Sequence, residues 1–107
     1  MNSKKIIRLF HGTNIANLQV LKINYSKNSL IYFTPIFDLA KTYGNYIYYI
    51  DMNFNNKLAK KIIKYRDLFN MTNKLSEFEL SEINKIAEFM YSHDIKVNFF
   101  LNINTKS

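Results

Sequence analysis

The chain is predicted to fold as one compact α+β domain over residues 1–107. Three observations carry this. Short β-branched and aromatic runs near the N-terminus, mid-chain and at the C-terminus ("KIIRLF", "YIYYIDM", "IKVNFFLNI") have the length and composition of strands. Two helical patterns stand side by side between the second and third of these runs. There is no repeat, linker or composition shift that would mark a second domain.

Taken in order, Lys5–Phe10 reads as a strand, β-branched at Ile6 and Ile7 and stopped by Gly12. Asn14 then caps a short helix over Ile15–Leu21, with Ile15, Leu18 and Leu21 on one face. A polar loop, "NYSKN", leads to a strand at Leu30–Thr34, ended by Pro35, the single proline. Proline is favoured at a helix start, where its missing N–H would be unpaired anyway, so Ile36–Tyr43 is expected to be helical and Gly44 to end it. Tyr46–Met52 is the strongest strand, closed by the turn-prone "NFNN".

Leu58, Ile62, Tyr65 and Phe69 share one face of a helix over Leu58–Phe69. A second helix is predicted from Glu77 to Ser92, with Ser76 and Glu79 as a capping box and Ile83, Ile86, Ala87, Met90 and Tyr91 inward. Ile95–Ile103 closes the chain as a strand.

Composition limits the function. Hydrophobic residues make up 48%, with nine Phe and eight Tyr, which is enough apolar surface for a packed core and excludes a disordered class. At 107 residues that core is a modest one, short for an enzyme with both a pocket and a covering lobe. Fifteen Lys and Arg against eight Asp and Glu give a net charge of +7, which favours acidic partners such as nucleic acid, an acidic protein or an anionic cofactor. The denser group from Lys57 to Arg66 reads as a solvated helix face.

The absence of cysteine excludes disulfides and thiolate metal sites and fits a reducing, cytoplasmic setting. No apolar run approaches the roughly 20 residues of a membrane span, and the N-terminus lacks the pattern of a signal peptide, so no membrane partner is expected. His11, His93 and Asp94 find no third ligand at a useful spacing, so no metal site is expected. There is no Gly-rich phosphate loop. Tyr46, Tyr48 and Tyr49, with nearby lysines, leave open a basic nucleic-acid-binding module, although a strand core accounts for them as well.

The candidate site lies in two stretches. "RLFHGTNIANL" sets one of two histidines, His11, directly before one of two glycines, Gly12, at a strand end. "LIYFTPIFDLAKTYG" carries Tyr32 and Phe33 at another strand end, then Ala40 and Tyr43 one helical turn apart. Together they resemble the histidine–tyrosine branch of the ADP-ribosyltransferase fold, shared by the poly-ADP-ribose polymerases, diphtheria-like toxins and small bacterial and phage families. In that branch a first strand ends in "HGT" or "HGS" and a second carries "YFA" or "YFT" before a helix with a small residue and an aromatic. The resemblance covers about half of the chain, Ile6–Met52.

It implies a split β-sheet with flanking helices, in a chain short enough that the sheet's final strand pair is open to truncation. It also implies NAD as cofactor, held by His11, Gly12, Thr13, Tyr32, Phe33, Ala40 and Tyr43. His11 would hydrogen-bond the adenosine ribose and Gly12 the nicotinamide carboxamide, where a side chain would obstruct the approach. Tyr32 would form a wall of the nicotinamide pocket and Tyr43 would stack on the ring, while Ala40 leaves room for the amide. His11, Tyr32 and Tyr43 would carry the chemistry.

The branch often adds a glutamate on a late strand. Here Glu77, Glu79, Glu82 and Glu88 all fall in or beside the predicted last helix, and the last strand has none. The acceptor-orienting group is then expected from Glu77, Glu79, Asn98, Asn102 or the acceptor itself. The implied function is a small mono-ADP-ribosyltransferase acting on a protein or nucleic-acid target, suited to a phage or mobile element acting on a host machine such as a defence system. The alternative is a catalytically inactive relative that binds and inhibits a partner.

Overall fold

The computed structural model describes residues 4–22, 31–89 and 94–104. They form an α+β fold with antiparallel sheets. Strand β1 (Lys4–Thr13) pairs along its whole length with β4 (Tyr46–Asn55), from Lys4 opposite Asn55 to Thr13 opposite Tyr46. Strand β7 (Asn98–Asn102) adds to the other edge of β4, with an irregularity between Ile47 and Tyr48. Two short ladders accompany this sheet: β2 (Val20–Leu21) with β6 (Ile95–Lys96), and β3 (Ile31–Tyr32) with β5 (Glu88–Phe89).

Alternation along β1 decides which face packs, because successive side chains point to opposite sides. Ile7 and Leu9 are buried while Ile6 and Arg8 are exposed. Their face joins Phe33, Tyr48 and Phe54 with Ala59 and Ile62 of helix α2 (Asn56–Thr72) in the main core. A smaller cluster of Ile36, Tyr65 and Ile83 ties the second connection to α2 and α3 (Glu77–Ala87). On the opposite face Arg8 pairs with Asp51 at 2.9 Å and lies over the Tyr49 ring, which raises the Arg8 pKa and lowers that of Asp51.

Several sequence expectations hold. Thr34 Oγ1 accepts from Ile36 N at 3.1 Å, leading into α1 (Phe37–Ala40) and a 3-10 turn at Lys41–Tyr43. Ser76 and Glu79 form the reciprocal capping box, at 3.0 and 3.1 Å. On α2, Ile62 and Tyr65 are buried and Phe69 packs on the smaller cluster, while Lys57, Lys60, Lys61 and Lys64 are exposed. Lys61 also pairs with Glu82, whose carboxyl is held below its ordinary value by that bond.

Six expectations are corrected. Ile15–Leu21 is not a helix: Asn17 takes a left-handed conformation, φ 57°, and Val20–Leu21 is strand. Asn14 caps nothing there, because its side chain accepts from Asn45 N at 3.1 Å. "NFNN" is not a turn either. β4 runs through it, burying Phe54, and Asn55 caps α2 by accepting from Leu58 N at 2.9 Å. Leu58, expected inward, is exposed, and Ala59 takes its place in the core.

The last predicted helix stops at Ala87, after which Glu88 and Phe89 enter a strand opposite Tyr32 and Ile31. Met90, Tyr91, Ser92 and residues 23–30, where the polar loop "NYSKN" is expected, lie outside the described residues. The last predicted strand is broken at Val97, whose N–H donates to Gln19 O at 3.0 Å. No described helix is long and apolar enough to cross a membrane.

Candidate functional site

His11 stands one residue beyond the point where β1 gains a second neighbour. Phe10 N–H donates to Thr34 O at 2.7 Å and Thr34 N–H to Phe10 O at 2.9 Å, which brings the two sequence motifs together at the free edge of β1. The next contact is specific. His11 Nδ1 lies 2.8 Å from the Tyr32 carbonyl oxygen, an acceptor only, so Nδ1 carries the hydrogen and neutral His11 keeps its lone pair on Nε2. Burial lowers the His11 pKa and the bond to Tyr32 offsets this in part. The imidazole is therefore held neutral at pH 7, oriented, and able to accept from a hydroxyl at Nε2.

His11, Gly12, Tyr32, Ala40 and Tyr43 line one cleft with Phe10 and Thr34. Five of the seven expected site residues are thus brought together. Phe33 is fully buried and packs on the His11 ring at 5.5 Å, so it supports the imidazole from the core. Thr13 accepts from Ile15 N at 3.3 Å through its hydroxyl and shapes the following loop. Neither lines the cleft. The Tyr32 and Tyr43 rings meet at 5.4 Å, and the volume between the walls is about 40 Å³, little more than the roughly 30 Å³ share of one water. Tyr43 is 57% exposed at the end of the 3-10 turn, so its side chain forms the outer wall.

Both glycines are explained by close backbone approach. A Cβ on Gly12 would overlap the Ala40 carbonyl oxygen and stand 2.9 Å from its carbon. A Cβ on Gly44 would overlap the Thr13 carbonyl and stand 2.7 Å from Asn14 N. Each motif therefore carries a glycine where the other motif's backbone passes. Sequence reasoning assigned Gly12 to a ligand approach and missed this packing, which only the contact between distant segments reveals.

The glutamate question changes as well. Glu88 lies on β5, the register partner of Tyr32. Helical periodicity continues through Glu88, so no local signal marked it as strand. Glu77 and Glu79 sit in the first turn of α3, Glu79 in the capping box. Asn98 and Asn102 lie on β7, and neither lines the His11 cleft. No group of three or more His, Asp or Glu able to hold a metal occurs among the described residues, and His93 lies outside them.

Searches with this chain against protein-family models, curated proteins and solved structures return no match.

Proposed function

We propose that the protein is a small NAD-dependent mono-ADP-ribosyltransferase. The observation that carries this reading is the junction of the two motifs, with His11 oriented on the Tyr32 backbone and facing Tyr43 across one cleft. The donor set suits a dinucleotide. Nε2 of His11 accepts from a ribose hydroxyl, and Tyr32 and Tyr43 offer two aromatic walls for a planar ring. As observed, the walls are closed together, so binding requires Tyr43 to swing outward on its turn. NAD, when bound, supplies the ADP-ribosyl group through its labile bond between ribose and nicotinamide.

The same reading assigns the acceptor-orienting role to Glu88, the carboxylic residue paired with Tyr32 in the β3–β5 ladder. Removing one well-placed polar group at a charged transition state costs about 3 kcal/mol, on the order of a hundredfold in rate. The target is a protein or a nucleic acid, in keeping with the net charge of +7. Transfer of labelled ADP-ribose from NAD in a host-cell lysate tests the proposal. Wild type labels a discrete target and His11→Ala does not, with melting of the variant showing that the fold is kept.

A second reading is favoured by the closed cleft. A noncatalytic protein that binds and inhibits a partner needs no room between Tyr32 and Tyr43. It predicts a biological effect that persists in His11→Ala and Tyr43→Ala.

A further inference from the structure

A second cavity lies apart from the His11 cleft and shares no lining residue with it. It opens between the loop before β2, the start of β4 and strand β7, with a volume of about 590 Å³, inside the ~300–1,000 Å³ range of small-molecule sites. Its chemistry is uniform. Four carboxamides (Asn17, Gln19, Asn98 and Asn102) stand around three aromatic rings, Tyr46, Tyr48 and Phe99, and no lining residue is acidic, basic or histidine.

The wall is fixed rather than loose. The Tyr48 hydroxyl accepts from Leu18 N at 3.0 Å and donates to Ile15 O at 2.7 Å, strapping the loop to the back of the cavity. Within that strapped loop Asn17 holds φ 57°, a left-handed conformation that asparagine adopts more readily than other non-glycine residues. Phe99 meets Tyr48 at 5.9 Å and remains 58% exposed, so most of its surface is free for a ligand.

A ligand for this cavity must be neutral where it enters. It must be flat enough to lie on phenyl and phenol rings, and edged with both donors and acceptors, because each carboxamide offers both. Nucleobases have these properties, and amide side chains pair with their edges while aromatic rings stack on their faces. Outside the cavity the charge reverses this neutrality: Lys96 and Lys22, both exposed, flank the β2–β6 ladder that adjoins Gln19 and Val97. We infer that the cavity is a nucleotide-base site, with the base among the amides and rings and the phosphate toward Lys22 and Lys96. This inference does not depend on NAD binding at His11.

Uridine and cytidine probe it without a nicotinamide or an adenine. In ¹⁵N-resolved NMR titrations, both nucleosides shift the amides of Asn17, Gln19, Asn98 and Phe99 and leave those of Gly12 and Tyr43 in place. Uridine monophosphate binds more tightly than uridine. Phe99→Ala weakens binding tenfold or more, and Asn98→Ala severalfold, while Phe78→Ala, an exposed aromatic on α3, has no effect. Melting curves confirm that each variant is folded. An eight-nucleotide single strand that binds over tenfold more tightly than the mononucleotide identifies nucleic acid as the source of the base, and equal affinity identifies free nucleotide. No shifts at about 5 mM nucleoside, undiminished binding by Phe99→Ala, or a glucose oligomer binding in place of nucleosides would overturn the inference.

Discussion

Gly12→Ala is the perturbation whose outcome the structure determines most sharply. The added methyl would overlap the Ala40 carbonyl oxygen and stand 2.9 Å from the carbonyl carbon and 3.3 Å from Tyr43 Cβ, where ordinary contacts need about 3.5–4.0 Å. Neither side yields cheaply. β1 is paired with β4 over its whole length, and Ala40 is buried at the end of a helix led in by the Thr34 hydroxyl and the Phe10–Thr34 bonds. Forcing extra volume into a packed site costs typically about 1–3 kcal/mol, and a clash with backbone belongs at the upper end. Replacing glycine returns about 0.4–1 kcal/mol by restricting the unfolded chain. The net loss is about 2–3 kcal/mol, which lowers the melting temperature of a domain of this size by about 10 °C. Thermal melts followed by circular dichroism measure it, with Thr13→Ala as a neighbouring control. A Gly12→Ala protein that melts within about 2 °C of wild type would refute the packing account and return Gly12 to a ligand-facing role.

Three further outcomes follow from the same structure. Because burial holds His11 below its ordinary pKa, the unfolded chain binds more protons just under pH 6.5. Stability therefore falls as pH drops below about 6.5 and is flat above it, and denaturant titrations of His11→Asn should lose that slope. Glu88→Gln lowers transferase turnover about a hundredfold, whereas Glu77→Gln and Glu79→Gln change it less than about tenfold, since Glu79 caps α3 and Glu77 merely opens it. Equal losses in all three variants would remove Glu88 from its proposed role. Ser76→Ala removes one half of the capping box and costs about 1 kcal/mol, or about 5 °C in melting temperature.

What the sequence made legible was local. The strand at Lys5–Phe10, the helical spacing of Ile62, Tyr65 and Phe69, and the Ser76–Glu79 box all act within a few residues, and each appears where expected. The failures share a different cause. Ile15, Leu18 and Leu21 mimic a helix face, but the Leu18 N–H is claimed by a tyrosine hydroxyl thirty residues away. Glu88 and Phe89 continue a helical period, but pairing with Ile31 and Tyr32 overrides it. In "NFNN" the asparagines signal a turn, yet Phe54 is needed in the core and Asn55 serves the next helix as its cap. The convergence of His11, Tyr32, Ala40 and Tyr43 was legible through the order of the motifs. The reason for the two glycines was not, because it lies in one backbone passing another.

If NAD binds between Tyr32 and Tyr43 beside His11, as proposed, an NMR titration with NAD detects it at the site itself. Saturable shifts are expected at His11, Gly12, Tyr32 and Tyr43, weakened by Tyr43→Ala and abolished by His11→Ala. The absence of shifts at these four residues at millimolar NAD, or shifts confined to Asn17, Asn98 and Phe99, would contradict it.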